Sequence, residues 1–365
     1  MNQNSAVLTN FRYVKYPNIS QEKTIERLIS SVCEVKRRKV SEQEITEKIE
    51  RYALSEKKIK HRSVLRYSDN FPTDWNSIIM NTLNNEYKDK KAPEGLVFAT
   101  GSMFDIPSPL LRFLSAKEWL TTRSYHSFNF GCAGAFPALE IADSAVKNYT
   151  TLEMKAVDIF NTDIISRHFG RIADDLGEEL KVDEILISTL FADSSIFYTS
   201  MREEEFHKQE KDGLRVLKTH EAIIPNSIQA TTWLDYIKAV FKLSPLIPEY
   251  AGQNLPKFLD ELCAKIDVSF EEEKESFAYA LHPGGSKILD YVQEGCGLGD
   301  DLIANSRKLL YEDGNTSSTS CPTLWGEMIN DKNIPYGEKI ITVGVGPGLL
   351  LGGAILEKIK SEYSK

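Results

Sequence analysis

Three short segments of this sequence combine a reactive side chain with residues that force the backbone to turn. The first is FNFGCAGAFPAL at residues 128–139, in which Cys132 lies between Gly131 and small residues that could begin a helix. Pro137 is tolerated only in the first turn of a helix, so the predicted helix starts close to Cys132. A thiol at a helix N-terminus feels the positive end of the dipole, which predicts a lowered thiol pKa and a nucleophilic thiolate.

The second segment is ALHPGGSKILD, which places His282 between an apolar run and a Pro-Gly-Gly turn. Ser286 can cap the helix that follows. An imidazole at a strand-to-turn junction can exchange a proton or donate a hydrogen bond to a developing anion.

The third segment is EDGNTSSTS, in which Asn315 follows Gly314 and precedes a stretch of hydroxyl residues. A carboxamide can donate a hydrogen bond to a carbonyl oxygen without titrating, as an oxyanion stabiliser must. By itself each segment fits a structural role, namely a buried thiol, a satisfied histidine and a helix cap. The combination, in the order cysteine, histidine and asparagine, is a stronger signal of a catalytic site than any one segment.

Composition limits the function classes that this chain can belong to. The 365 residues are 41% hydrophobic and carry a formal charge of -9, which argues against a nucleic-acid or anionic-membrane partner. No signal peptide or membrane span is predicted. The cysteines lack any CxxC spacing, which predicts reduced thiols in the cytoplasm and no metal site. Those outside the first segment are interpreted as core residues; they are Cys33, Cys263, Cys296 and Cys321.

The elements that must position these segments alternate between short apolar runs and helical patterns, which predicts an α/β fold. A helix is predicted from Ser20, and strands are predicted at GLVFATG, AVDIF, EILISTLF, SFAYALH and KIITVGVG. The charged segment 201–214 is the candidate excursion between two halves, 1–200 and 201–365. No internal repeat is evident.

Four motifs in one order resemble the type III polyketide synthases, the chalcone-synthase-like family. They are GCAGAFPAL around Cys132, HPGG from His282, GNTSS from Gly314 and GVGPG from Gly344, and the resemblance extends from about Ile59 to Leu351. The resemblance implies a thiolase fold of two similar αβαβα halves in a five-layered core, and a homodimer. Cys132 would carry the acyl group, while His282 and Asn315 would stabilise the enolate formed from malonyl-CoA.

The resemblance also implies a substrate cavity and a coenzyme A site. The matching positions for the cavity are Phe191, Phe241, Ser317, His168, Ile106, Gly346 and Pro347. The basic stretch Lys57, Lys58, Lys60 and Arg62 would hold the coenzyme A phosphates. The same run of basic residues also fits a charged face that is exposed to solvent. No cofactor would be permanently bound, since acyl-CoA and malonyl-CoA are substrates.

The sequence departs from the family in the cavity region. Residues 192–197 read ADSSIF where the family has a glycine-rich GDGAAA, and Asp163 stands near a glutamate of the family. A more polar cavity would change the choice of starter or the number of extensions.

Other classes of protein share parts of this pattern. GVGPG lacks the GxGxxG spacing of a dinucleotide site, and the context of a papain-like protease is missing. A ketoacyl-ACP synthase III-like enzyme or acyltransferase, supplied by an acyl carrier protein, remains as the alternative. A silent partner subunit would have no reason to keep Cys132, His282 and Asn315.

Overall fold

The structure is a computed structural model that describes residues 5–33, 41–53, 59–67, 74–102, 107–119, 121–128, 130–147, 154–168, 182–227, 232–235 and 240–362. Strands and helices alternate along it, which confirms the predicted α/β class. The strands are β1 Ala6–Val14, β2 Asn18–Ser20, β3 His61–Ser63, β4 Gly95–Thr100, β5 Arg123–Phe128, β6 Ala156–Asp163, β7 Ser194–Arg202, β8 Asp212–Ile223, β9 Thr232–Asp235, β10 Val240–Leu243, β11 Ala278–Leu281, β12 Lys339–Gly346 and β13 Leu350–Lys360. The helices are α1 Gln21–Cys33, α2 Glu42–Ala53, α3 Trp75–Glu86, α4 Pro109–Ala116, α5 Ala135–Lys147, α6 Val182–Leu190, α7 Glu203–Phe206, α8 Ile247–Ala264, α9 Phe270–Glu273, α10 Ser286–Cys296, α11 Ala304–Asp313 and α12 Ser320–Asn330.

One mixed sheet of nine strands organises the molecule, in the order β11-β12-β13-β8-β1-β7-β6-β4-β5. The central strands β1 and β8 are antiparallel and pair Val7 with Arg215 and Leu8 with Leu214. Strands β2 and β3 form one separate antiparallel pair, and β9 and β10 form another.

The two sides of the sheet repeat one strand order. From the centre outward, one side runs β1, β7, β6, β4 and the other runs β8, β13, β12, β11. On each side the first two junctions are antiparallel and the third is parallel. β5 adds a further parallel strand to the first side. Cores tolerate many replacements of one apolar residue by another, so a repeated topology need not leave a repeat in the sequence.

The predicted boundary between residues 200 and 201 falls inside β7, whose last residue is Arg202. The charged segment 201–214 forms the end of β7, the short helix α7 and the start of β8. It therefore connects the two repeated sides of the sheet, and the division into two halves stays a prediction.

Helices α5 and α12 share one apolar cluster with strands from both sides of the sheet. The ring centroids of Phe136 and Trp325, one on each helix, are 6.0 Å apart in an edge-to-face arrangement. Both helices begin just after a turn that carries a predicted site residue, Cys132 for α5 and Asn315 for α12. The core that holds these helices therefore also holds the two turns.

Most of the predicted elements are confirmed, and one is wrong. The predicted helix after Ser20 is α1, and four predicted strands coincide with β4, β6, β11 and β12. EILISTLF, predicted as a strand, instead lies mostly in helix α6, where Ile185 and Ile187 are fully buried. A short buried helix and a buried strand show the same apolar run, so periodicity could not separate them.

None of the helices in the described ranges is long and apolar enough to cross a membrane.

Candidate active site

Cys132 lies in a tight turn at the head of α5. It is the central residue of the 3₁₀ turn Gly131–Ala133, and α5 begins at Ala135. Gly131 has a φ of +47°, in the left-handed region that glycine adopts without strain. A Cβ on Gly131 would also lie 2.7 Å from Cδ of Pro347, so both the backbone and the available space require glycine before the cysteine.

Asn315 is held in one orientation by backbone and side-chain hydrogen bonds. Its N–H donates to the carbonyl of Leu190 and its carbonyl accepts from Ala192 N–H, each at 2.9 Å. Its Oδ1 accepts from Ser317 N–H at 2.8 Å, and its Nδ2 donates to the carbonyl of Gly284 at 3.1 Å. These partners fix which end of the amide is oxygen and which is nitrogen.

His282 follows β11 and presents a buried, neutral imidazole. Its N–H donates to the carbonyl of Val343 at 2.8 Å, and its carbonyl accepts from Gly284 N–H at 2.9 Å. Neither ring nitrogen has a hydrogen-bond partner within the described residues, although His282 is only 5% exposed. Burial lowers the pKa of His282 to about 3. The ring therefore has one N–H donor and one acceptor that are ready for a ligand.

The structure brings the three predicted groups to one place. The sulfur of Cys132 lies 4.0 Å from Oδ1 of Asn315. Gly284 links the other two, because its carbonyl binds Nδ2 of Asn315 and a Cβ built on it would lie 3.4 Å from Nε2 of His282. The roles of the three residues stay predictions, which this arrangement supports.

Burial, rather than the helix dipole, dominates the pKa of Cys132. The pKa of the thiol is raised to about 12: desolvation is the main cause, the carboxylate of Asp163 adds to the rise, and hydrogen bonds to Ser317 and Asn315 oppose it. The expected lowering of this pKa is wrong, because burial disfavours the charged thiolate. Cys132 is a thiol that must pass its proton to a base before it can attack.

The glycine-rich segment 344–348 packs against the turn of Cys132. A Cβ on Gly344 would lie 3.2 Å from the carbonyl oxygen of Cys132, and one on Gly346 would lie 2.4 Å from the carbonyl oxygen of Phe130. Glycine is required here because backbone meets backbone. Gly346 and Pro347 thus contact the turn of the nucleophile, as well as occupying the predicted cavity positions.

The structure describes both the backbone and the side chain of two other predicted cavity residues, Phe191 and Ser317. Phe191 is 2% exposed and belongs to the same apolar cluster against which Cys132 packs. Ser317 is 2% exposed and has a φ of +55°. Phe241 lies in β10 and His168 ends the 3₁₀ turn Ile165–His168. The side chains of these last two, and Ile106 as a whole, lie outside the described residues.

Of the predicted coenzyme A residues, the structure describes Lys60 and Arg62, and these two differ in exposure. Lys60 is exposed, whereas Lys57 and Lys58 lie outside the described residues. Arg62 is 0% exposed, and its guanidinium donates to Oε1 of Gln21 and to the carbonyls of Ser188 and Phe191. The phosphate role of Arg62 is therefore corrected: this side chain is enclosed by acceptors of its own fold and does not reach solvent.

A cavity of about 390 Å³ lies beside the site and is lined by Leu186, Leu190, Leu243, Ser244, Pro245, Ile247, Pro248, Gly284, Gly285, Lys287 and Ile288. It is mostly apolar, touches the glycine that links His282 and Asn315, and has the exposed Lys287 at its edge. A larger cavity of about 800 Å³ lies between β1, α11 and α12. Cys132, His282 and Asn315 line neither cavity themselves, and only the smaller one reaches Gly284. Sequence reasoning missed Lys287, which follows directly after HPGGS.

Comparison with known proteins gives two findings. Residues 216–360 match the family of chalcone and stilbene synthases, C-terminal domain. PKS-I from the brown algae Ectocarpus siliculosus has a solved structure that matches this one with a TM-score of 0.76 and 16% sequence identity, over 97% of this chain and 98% of that chain. The structural match shows that the two proteins share a fold, and the predicted thiolase fold is thereby confirmed.

Proposed function

We propose that this chain, which belongs to the chalcone and stilbene synthase family through its C-terminal domain, is a type III polyketide synthase-like condensing enzyme. It loads an acyl group on Cys132 and extends that group by decarboxylative Claisen condensation with malonyl-CoA, with cyclisation as an optional last step. The proposal depends mainly on the convergence, beside an apolar cavity, of a thiol, a carboxamide and a buried imidazole whose ring nitrogens have no partner among the described residues.

The loading step uses Cys132 and His282. The neutral imidazole accepts the thiol proton, which is needed because the pKa of Cys132 is raised to about 12. The thiolate attacks the carbonyl of the acyl thioester, and the C–S bond to coenzyme A breaks. The proton then passes from the imidazole to the departing sulfur, so His282 returns to its neutral form.

The decarboxylation step uses His282 and Asn315 as donors. When the malonyl C–C bond breaks, the electron pair forms an enolate whose oxygen carries the negative charge. The N–H of the imidazole and the second hydrogen on Nδ2 of Asn315 can both donate to that oxygen, since only one Nδ2 hydrogen is used by Gly284. The enolate carbon then attacks the acyl-cysteine and Cys132 leaves as a thiolate.

The cavity beside Gly284 provides the route for the thioester arm. Its apolar lining suits a pantetheine chain or an acyl chain, and Lys287 at its edge suits a phosphate. Both acyl-CoA and malonyl-CoA carry that chemistry. An acyl carrier protein presents the same phosphopantetheine arm and remains the alternative donor.

We extend the proposal to a homodimer formed through the edge strand β5. β5 ends the nine-stranded sheet and pairs only with β4 among the described strands. Phe128 and Phe130, at the end of β5 and just after it, are 38% and 36% exposed. An uncovered strand edge next to exposed aromatic rings favours pairing with a second copy. Analytical ultracentrifugation would detect a dimer, and Tyr125→Pro should convert the dimer to a monomer.

The chemistry above takes its carbonyls and its carboxylate from the substrates, so a permanently bound cofactor is not part of the proposal. Cys132 must be a reduced thiol to carry an acyl group. Because the cytoplasm keeps thiols reduced, we propose that the protein works there.

The test is product analysis by mass spectrometry with a panel of acyl-CoA starters and malonyl-CoA. Extended products and release of carbon dioxide are expected, and both should disappear in Cys132→Ala. The same panel as N-acetylcysteamine thioesters lacks phosphate, so Lys287→Glu should raise KM for the coenzyme A substrates and leave the short thioesters unaffected. Absence of any acyl-Cys132 adduct in the wild-type protein would refute the proposed function.

A further inference from the structure

Asp163, the last residue of β6, is a fully buried carboxylate next to the site. Its Oδ1 accepts from Gly101 N–H at 2.6 Å and from Ser102 N–H at 3.1 Å. The hydroxyls of Thr100 and Ser102 lie 3.2 and 3.4 Å from the same oxygen. Its Oδ2 accepts from Ser318 N–H at 2.9 Å. Five donors therefore surround one carboxylate.

The hydrogen-bond network fits the ionised form of Asp163. The three N–H groups can only donate, and the two hydroxyls already accept, Thr100 from Ser102 N–H and Ser102 from Ile164 N–H. Their hydrogens are thus available to the carboxylate. Burial raises the pKa of Asp163, while its hydrogen bonds to Ser318 and Gly101 oppose the rise. No lysine or arginine of the described residues forms an ion pair with it, and its partners among these residues are N–H and hydroxyl dipoles.

The two carboxylate oxygens of Asp163 bind two different segments. One segment packs behind Cys132, and the other follows Asn315. The Gly101 turn backs the nucleophile, because a Cβ on Gly101 would lie 2.9 Å from Cα of Gly131. Ser318 is in the turn that follows Asn315, and its Cβ would lie 3.2 Å from a Cβ built on Gly134. Asp163 is thus bonded to a turn on each side of the contact between Cys132 and Asn315.

We propose that Asp163 is a positioning residue that fastens the turn behind Cys132 to the turn that carries Asn315, and that it places a fixed negative charge beside the nucleophile. The inference rests on the proposed function, since it assigns a task to the surroundings of the same thiol and carboxamide. The fastening keeps the carboxamide at the distance that the enolate requires. The charge opposes formation of a second anion, so the thiol stays protonated until a base removes its proton.

The other titratable groups near the thiol do not duplicate this charge. Cys321 interacts with Cys132 and is itself a buried thiol, whose pKa burial raises to about 12. His282 lies across Gly284 and is neutral, since burial lowers its pKa to about 3. Asp163 is therefore the one fixed anion among these neighbours.

Asp163→Asn separates positioning from simple structural support. Its amide oxygen can still accept from Gly101 and Ser102, but its NH₂ would face Ser318 N–H, donor against donor. Carbon dioxide release from malonyl-CoA should fall at least about tenfold, by analogy with loss of one oxyanion donor. Iodoacetamide alkylation of Cys132, followed by peptide mass spectrometry, should become at least about threefold faster at pH 9, because removal of a buried negative charge lowers the thiol pKa.

The matched control is Asp193→Asn. Asp193 is also fully buried and is held by Leu65 N–H at 2.6 Å and by Ser166 N–H at 2.8 Å. In the part of the chain that the structure describes, it makes no hydrogen bond to the turns of Cys132 or Asn315. Asp193→Asn should lower the stability of the protein and leave the pH profile of Cys132 alkylation unchanged. Asp163→Glu keeps the charge and lengthens the side chain, so it should lower carbon dioxide release without moving that profile.

The outcomes distinguish this inference from the proposed function. If Asp163→Asn leaves the alkylation profile unchanged, or if decarboxylation and folded fraction fall together in Asp163→Asn and Asp163→Glu, Asp163 is only structural. If wild-type protein forms no acyl-Cys132 from any thioester, the proposed function fails instead, whatever the alkylation profile shows.

Discussion

The sulfur of Cys132 lies 4.0 Å from Oδ1 of Asn315, although 183 residues separate the two in the chain. The contact joins two turns that occupy corresponding places in the repeated strand order, one before α5 and one before α12. Because Oδ1 also accepts from Ser317 N–H, the amide cannot rotate freely, and Nδ2 is directed to the carbonyl of Gly284. Two turns that share one apolar core therefore place the thiol of Cys132 and the amide of Asn315 next to each other.

Asn315→Ala should separate the two half-reactions. Removing one donor to a developing oxyanion costs about 10²–10³ in rate, so carbon dioxide release from malonyl-CoA should fall by that factor. Loading of Cys132 relies mainly on the thiol and the imidazole and should fall by less than about tenfold. Intact-protein mass spectrometry measures loading, and trapped labelled carbon dioxide measures decarboxylation. Asn330→Ala, at the exposed end of α12, is the control and should change neither. Equal losses in both steps would argue against the enolate role.

The sequence predicted the positions of the chemistry better than its electrostatics. Cys132, His282 and Asn315 could be found because each is flanked by residues that restrict the backbone, such as Gly131 and Pro-Gly-Gly. The pKa of Cys132 could not be predicted, because desolvation depends on atoms contributed by distant segments. Asp163 escaped notice as a buried anchor for the same reason, since its donors come from segments far apart in the chain.

Arg62 shows how a charge pattern can mislead. It belongs to a run of basic residues that resembles a phosphate site, yet its guanidinium is enclosed by Gln21 and two backbone carbonyls. Sequence spacing cannot distinguish a cation that faces solvent from one that closes a buried turn. The misread helix α6 has a similar origin, because burial on most faces removes the periodicity that would identify it.

Arg62→Met should destabilise the protein and spare coenzyme A binding. Loss of the guanidinium leaves buried carbonyls of Ser188 and Phe191 without this donor, which should lower the free energy of unfolding by about 3 kcal/mol. KM for coenzyme A thioesters should stay unchanged in the folded fraction. Chemical denaturation and steady-state kinetics measure the two effects. Lys60→Ala, at an exposed position, is the comparison: it should leave stability intact and raise KM only if that side chain contacts phosphate.

Gly346→Ala tests the close packing behind the nucleophile. The added methyl group would lie 2.4 Å from the carbonyl oxygen of Phe130 and 2.8 Å from Cβ of Ala133, so the turn of Cys132 must shift. Because a misplacement of about 1 Å can cost about 10² in rate, loading should fall by roughly that factor.

Gly337→Ala is the control, because it introduces backbone strain without a steric clash. Gly337 has a φ of +88° and nothing within 4 Å of an added Cβ. It should lose about 1–2 kcal/mol of stability and load normally. Normal loading by Gly346→Ala would show that the turn tolerates displacement.

His282 should make the stability of the protein depend on pH in a predictable direction. Burial lowers its pKa in the folded state to about 3, from the ordinary value of 6.5, so below pH 6.5 the unfolded chain binds a proton that the folded chain does not. The contribution of neutral His282 is fully present above pH 6.5 and is lost as the pH falls towards 3. Between pH 7 and pH 5 it amounts to about 2 kcal/mol. Urea unfolding at pH 7 and pH 5 should therefore show that the free energy of unfolding falls less in His282→Gln than in the wild-type protein, by that difference.

His220→Gln is the control, because His220 is paired with Glu261 near the surface. Its free energy of unfolding should fall between pH 7 and pH 5 about as much as that of the wild-type protein. An equal decline in the wild-type protein and His282→Gln would mean that the imidazole is already hydrated and charged at pH 5, which would conflict with its proposed role as a neutral donor to the enolate.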